Sequence, residues 1–233
     1  MFKIFSLLLL ISTVSSFSGP KVPTKHAKQY DRRNAIQTTI SSAMLVLGGN
    51  PAPSAAAYLD PNTDPPVVTK RVYLDVQIGD KEPGRLTIGL FGELMPKTVD
   101  NFEQLCSTNS YAGTTFYRVL SDFTIQGGAI GDPTGKTGKS AFGSSFEPDN
   151  YRLMHTKKGL VSMVRSLSGG VDSRFFINCN DDAGWADDKY AAFGIVEDGM
   201  DYVKKIEKVS VSPPKNSPKT PVTIIGCGVL NNA

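Results

Sequence analysis

A chain of 233 residues, 40% hydrophobic and 20% charged, describes an ordinary soluble protein with length for one good core and something ahead of it. The formal charge of +3 is uneven: up to Ala57 six basic residues face the single acid Asp31, so the remainder is net acidic and the basic pI argues for no nucleic-acid-binding surface on the folded part. Cys106, Cys179 and Cys227 are far apart, form no C-x-x-C and have only His26 and His155 to join them, which argues against a metal site and a disulfide framework, leaves one bridge open, and reads best as three small buried hydrophobes.

The chain starts with an address. MFKIFSLLLLISTVSS, residues 1–16, has a lysine near its start, an apolar run over 7–11 and small residues before Phe17, the anatomy of a signal peptide too short to span a bilayer permanently. FSGPKVPTKHAKQY, residues 17–30, is basic and without acids, like an organelle transit segment. Residues 31–57 hold Arg32-Arg33, a moderately apolar stretch around 43–47 and Ala55-Ala56-Ala57, and resemble a twin-arginine export signal. Two cleavable signals around a basic spacer suit a protein that crosses several membranes in series. Their order resembles the leaders of thylakoid-lumen proteins in algae with secondary plastids, where a phenylalanine follows the first cleavage site as Phe17 does here. It implies a plastid lumen location, a mature chain beginning near Tyr58 and no stable membrane span after processing. The same residues also fit a secreted or endomembrane protein in which 36–47 is a weak anchor or a buried helix, although Gln37 and several hydroxyl side chains make that segment a poor span.

Residues 58–69 contain three close prolines and read as a linker or extended arm, so the folded domain is expected over 70–233. Alternating Val72, Leu74, Val76 and Ile78, then Leu86, Ile88 and Leu90, predict two strands joined through a Gly-Asp-Lys-Glu-Pro-Gly turn. Pro96 suits the first turn of a helix over 96–109, in which Val99, Phe102 and Cys106 recur on one face. In TFYRVLSDFTIQGGA the next strand, 115–120, puts Phe116, Arg118 and Leu120 on one face by strict alternation and Tyr117 and Val119 on the other. The Arg118 guanidinium then shares its face with apolar neighbours, and taken alone such a residue lays its stem on apolar surface and keeps its head in water. Further strands are predicted over 123–126, 159–165, 174–178, 192–196 and 222–230, and a second helix over 199–209 turns Met200, Val203 and Ile206 inward.

Eight short strands and two helices predict a mainly β fold, a closed eight-stranded antiparallel β-barrel capped by the two α-helices, which leaves no strand edge exposed. The stretch 129–154 is long and irregular, as functional loops are. Within it GDPTGKTGKS imitates a phosphate-binding loop. Counting back from Gly138-Lys139-Ser140 gives Pro133, and from Gly135-Lys136-Thr137 gives Ile130, where a glycine is required, and no helix pattern follows to cradle a phosphate.

FYRVLSDFTIQGGA, GLVSMVRS, SRFFIN and WADDKYAAFG, in that order and followed by a last strand containing GCG, make the chain resemble the cyclophilins, a family of peptidyl-prolyl cis-trans isomerases, from about Val67 to Leu230. The resemblance implies the same barrel with two capping helices, a substrate groove on its outer surface and no cofactor. Arg118 matches the family's catalytic arginine, Phe123 and Phe176 the aromatic walls of its proline pocket, Gln126 the polar residue beside the arginine, and Trp185 the tryptophan at the groove's edge. Singly these residues have ordinary explanations, as core side chains, a strand end and a buried anchor; their joint occurrence points to the site.

Around that groove the chain departs from the methionine, alanine, asparagine, glutamine, leucine and histidine common in the family, and has Thr124, Val164, Arg165, Arg174, Ala186 and Tyr190 instead. These departures imply altered peptide preference and weak cyclosporin binding. Arg165 and Arg174 beside Arg118 imply three cations around one concavity and a preference for acidic residues near the proline. The other placement turns Arg165 and Arg174 to solvent or pairs them with Asp172, Asp181 or Asp182. Two functions fit: an isomerase that assists folding, acting on proline-containing peptides and on unfolded or assembling proteins, or a catalytically weak proline-peptide-binding module serving as a scaffold or assembly factor.

Overall fold

Apolar alternation is realised as β1 (Lys70–Ile78) and β2 (Gly84–Leu90), where Val72, Leu74, Val76, Leu86 and Ile88 are fully buried and the residues between them face outward. The computed structural model describes residues 57–230 apart from Ser168; the three leader segments predicted over residues 1–57 lie, but for Ala57, outside the described residues. Beyond β2 come α1 (Pro96–Ser107), β3 (Phe116–Leu120), β4 (Thr124–Gly127), β5 (Leu160–Arg165), β6 (Val171–Asn178), β7 (Ala192–Asp198) and α2 (Met200–Glu207). A short hairpin of β8 (Val211–Ser212) and β9 (Ser217–Pro218), which the periodicity did not announce, precedes β10 (Val222–Leu230).

Eight of these strands form one antiparallel sheet in the order β10-β1-β2-β7-β5-β6-β4-β3. Its end strands are drawn together by a bridge between Thr115 and Thr223 and by bonds from Gly113 N to Ile224 O (2.8 Å) and from Ile224 N to Thr114 O (2.9 Å). The expected eight strands and two helices are present, but the closure is this short seam and not a full ladder. The β8–β9 hairpin covers part of the free edge of β3, where Val119 N donates to Asn216 O at 2.9 Å.

The helices bury their apolar stripes against the sheet. Val99, Phe102, Leu105 and Cys106 of α1 and Val203 and Ile206 of α2 are buried, and the Phe102 ring meets Tyr111, Phe175 and Phe193 at 5.1, 5.4 and 4.9 Å. All three cysteines are buried and free. No side chain of its own caps α1; instead the Asp149 carboxylate accepts from Lys97 N and Thr98 N, both at 2.9 Å. The segment read as a linker is docked: Leu59 bridges to Leu153, Asn62 Nδ2 donates to Thr156 O (2.9 Å), and Leu59 packs on a small cluster of Phe91, Leu153, Leu160 and Ala192. Among the described residues no helix is long and apolar enough to cross a membrane.

Candidate functional site

One cross-strand row organises the outer face of the sheet. Arg118 of β3 lies opposite Gln126 of β4, Gln126 opposite Phe176 of β6, and Phe176 opposite Ser162 of β5. Paired residues of neighbouring strands share a face about 5 Å apart, so Arg118, Gln126 and Phe176 stand side by side.

Arg118 reaches that face through an irregularity the alternation missed. The register shifts between Phe116 and Arg118, and Phe116 and Val119 are both core residues, 1% and 2% exposed. Arg118 therefore does not share a face with Phe116: the extra residue, Tyr117, turns the arginine outward, as bulges do beside sites. The Arg118 guanidinium is partly exposed and has no hydrogen bond or ion pair to any described residue. After Gln126 the chain must leave β4 at once. Gly128 does so at φ 77°, with the Phe175 ring only 2.6 Å from where a Cβ would stand.

Arg174 behaves in the opposite way, which corrects its expected place in the groove. It is 4% exposed, its Nε and Nη2 bind the Asp172 carboxylate at 3.0 and 2.7 Å, and its Nη1 donates to Lys136 O at 2.6 Å and Gly135 O at 3.2 Å. Burial works against its charge, and the bonds to Asp172 outweigh it and raise its pKa. The loop that imitates a phosphate cradle thus points carbonyls at a cation. Thr124 is likewise corrected: it lies on the face of Gln126 but is 0% exposed, with its hydroxyl unpartnered. Ala186 is also fully buried. Val164 is partly exposed and Arg165 exposed at the end of β5, so of the three expected cations Arg118 and Arg165 remain available.

The four aromatic residues are brought together. Trp185, on a single 3-10 turn (Gly184–Ala186), stacks on Phe123 at 4.6 Å and on Phe176 at 5.9 Å, and Tyr190 meets the edges of Phe176 (5.2 Å) and Trp185 (5.5 Å). Beneath them is a group that pattern reading missed. His155, 0% exposed, holds Ser162 Oγ at 2.9 Å through Nε2 and Asp187 Oδ1 at 3.0 Å through Nδ1, and its ring lies parallel to Phe176 at 6.3 Å. The trio has the composition of a nucleophilic triad, but Ser162 is 0% exposed and no substrate reaches it. Its effect is positional: the Asp187 carboxylate ties the Trp185 turn to the histidine behind Phe176. The quoted GLVSMVRS contains Ser162, yet no spacing signals its partners.

The family model described as Cyclophilin type peptidyl-prolyl cis-trans isomerase/CLD matches residues 73–229. The chain is 40% identical over 169 residues to peptidyl-prolyl cis-trans isomerase B of Saccharomyces cerevisiae, covering 71% of this chain and 82% of that one. It is 39% identical over 169 residues to peptidyl-prolyl cis-trans isomerase D of the same yeast, covering 71% and 74%.

Proposed function

The chain belongs to the cyclophilin-type peptidyl-prolyl cis-trans isomerase family and is an enzyme of that type; from that premise we propose that Arg118 carries the catalysis, in a groove bounded by Phe123, Gln126, Phe176 and Trp185. The peptide bond owes its barrier of roughly 18–20 kcal/mol to resonance, while the cis and trans forms of Xaa-Pro differ by only about 0.5–1 kcal/mol, so the enzyme's task is the barrier alone. As the bond twists, the proline nitrogen loses conjugation and its lone pair becomes an acceptor. A guanidinium that donates to that lone pair binds the twisted state better than either planar one, which is the differential binding a catalyst needs. Arginine keeps its charge and its fixed fork of donors at any pH the protein meets. No nucleophile or cofactor enters this scheme.

The observation that carries the reading is the contrast between the two arginines. Every nitrogen of Arg174 is engaged inside the protein, whereas Arg118 stands in one row with Gln126 and Phe176 with its guanidinium donors free of partners among the described residues. Replacing Arg118 by Ala is expected to lower kcat/KM for an Ala-Pro peptide by about 10²–10³-fold, the range for removing one preorganised donor, with the fold kept. Arg118→Lys recovers little of it, since an ammonium lacks the planar fork. NMR exchange on the peptide measures this, and normal turnover by a folded alanine variant overturns the assignment.

The clients are proline-containing segments of unfolded or assembling proteins, and the leader order supports a plastid lumen as the place of work. Phe176, only 1% exposed, offers little surface to a ligand ring and supports weak cyclosporin binding. The altered rim residues Val164, Arg165 and Tyr190, which stay at least partly exposed, favour a second reading of the same groove, a slow enzyme that mainly holds proline-containing partners.

A further inference from the structure

A proline ring gains its binding energy by covering the faces of Phe123 and Phe176, and in this structure another ring already stacks on both, leaving Phe123 only partly exposed and Phe176 closed off. The Trp185 indole lies nearly parallel to Phe123, 22° between planes at 4.6 Å, and to Phe176, 30° at 5.9 Å. Together with His155, parallel at 18°, and Tyr190, edge-on at 88°, it leaves Phe176 1% exposed. A wall residue without surface binds nothing. The indole N–H is buried and has no acceptor among the described residues, so ring contacts hold the side chain while its one polar group goes unsatisfied.

The backbone of the turn that carries Trp185 is fixed, and only its Gly184 side is open. Ala183 N donates to His155 O at 2.9 Å, and Asp187 Oδ1 accepts from His155 N at 2.8 Å and meets its Nδ1 at 3.0 Å. Between these anchors Gly184 is exposed, and a side chain there would approach nothing closer than 3.6 Å. A swing of the indole thus needs no loss of the anchors, whereas Phe176 and Phe123 are held by the sheet and its edge.

We propose that Trp185 is a self-occupying gate: in the unliganded protein its indole fills the proline pocket, and a proline ring enters as the indole swings out, where its N–H finds water or a peptide acceptor. The inference rests on reading Phe123 and Phe176 as the pocket's walls. Apparent affinity then falls by the open fraction, so a pocket open about one tenth of the time binds about tenfold more weakly than its walls permit.

Trp185 is the chain's only tryptophan, which makes the full-length protein its own probe. Acrylamide quenching of its fluorescence is expected to rise about twofold when a short Ala-Pro peptide saturates the protein. Trp185→Ala is expected to lower KM and raise kcat/KM by about 3–10-fold, the inverse of the open fraction. Quenching that stays constant or falls in a protein that turns the peptide over makes the indole a fixed wall and overturns the gate while leaving the isomerase standing; so does a raised KM in a folded Trp185→Ala variant. If circular dichroism shows that variant to be unfolded, the wild-type quenching decides alone. Absence of both binding and turnover in wild type and variant overturns the isomerase reading and the gate with it.

Discussion

Arg118 and Arg174 both leave the sheet on its outer side, and what their nitrogens touch separates their roles. Arg174 is saturated by Asp172 and two carbonyls of the 129–154 loop, so it neither reaches a ligand nor adds charge to the groove. Arg174→Gln leaves the Asp172 carboxylate, whose side chain is 3% exposed, without its counter-charge. The expected outcome is a loss of about 3–5 kcal/mol in urea denaturation, the range for breaking one half of a buried pair, with any preference for acidic peptides unmoved. Such a preference, if measured at low salt, belongs to Arg165, and an Arg174→Gln protein of normal stability would show the ion pair to be dispensable. The alternation of β3 failed at the same scale. One bulge residue, Tyr117, decides that Arg118 points out, and a bulge has no signature in a five-residue apolar strand.

Strands β1 and β2 and the two helices followed their periods, and the irregular segments are where distant residues take over. The 129–154 loop is organised by one carboxylate: Asp132 accepts from Thr134 Oγ1 and N at 2.6 and 2.8 Å and from Thr137 N and Oγ1, both at 2.9 Å. These bonds, the Thr134 hydroxyl first, hold Asp132 well below the usual carboxylate range. A carboxylate lowered in the folded state binds fewer protons there than when unfolded. Its stabilisation is therefore present above the unfolded pKa of about 3.9 and is lost as pH falls through the folded value. Asp132→Asn is expected to speed hydrogen exchange at the Thr134 and Thr137 amides at pH 7, and to flatten the acid limb of the melting temperature below about pH 4. An unchanged acid limb removes Asp132 from that role. The carbonyls this loop presents to Arg174 come from Gly135 and Lys136, so the same four bonds shape the cover over the buried pair.

At the scale of the whole molecule, the arm and the sheet's seam are held by contacts between residues far apart in sequence. The arm from Tyr58 onward lies along residues 152–156, and the Tyr58 hydroxyl donates to Asp188, just beyond the Trp185 turn. The proposed cleavage after Ala55-Ala56-Ala57 would leave this arm complete at the start of the mature protein. N-terminal sequencing of protein from its native cells is expected to begin near Tyr58, and a chain that still carries Arg32 and Arg33 overturns the lumen assignment. By itself the sequence determined the eight strands, the two helices and the family's motifs, because period-two and helical burial are local properties written into neighbouring residues. It also brought Arg118, Phe123, Gln126, Phe176, Trp185 and Tyr190 to notice. Only the tertiary structure decided which outward residues stay open. Alternation names a face and not the segment that lies on it: Arg174 is closed over by carbonyls 38 and 39 residues away, and the turn bearing Trp185, which covers Phe176, is tied to a histidine 32 residues before its Asp187. Covering of that kind depends on the path of the chain between the partners, a property no local pattern carries.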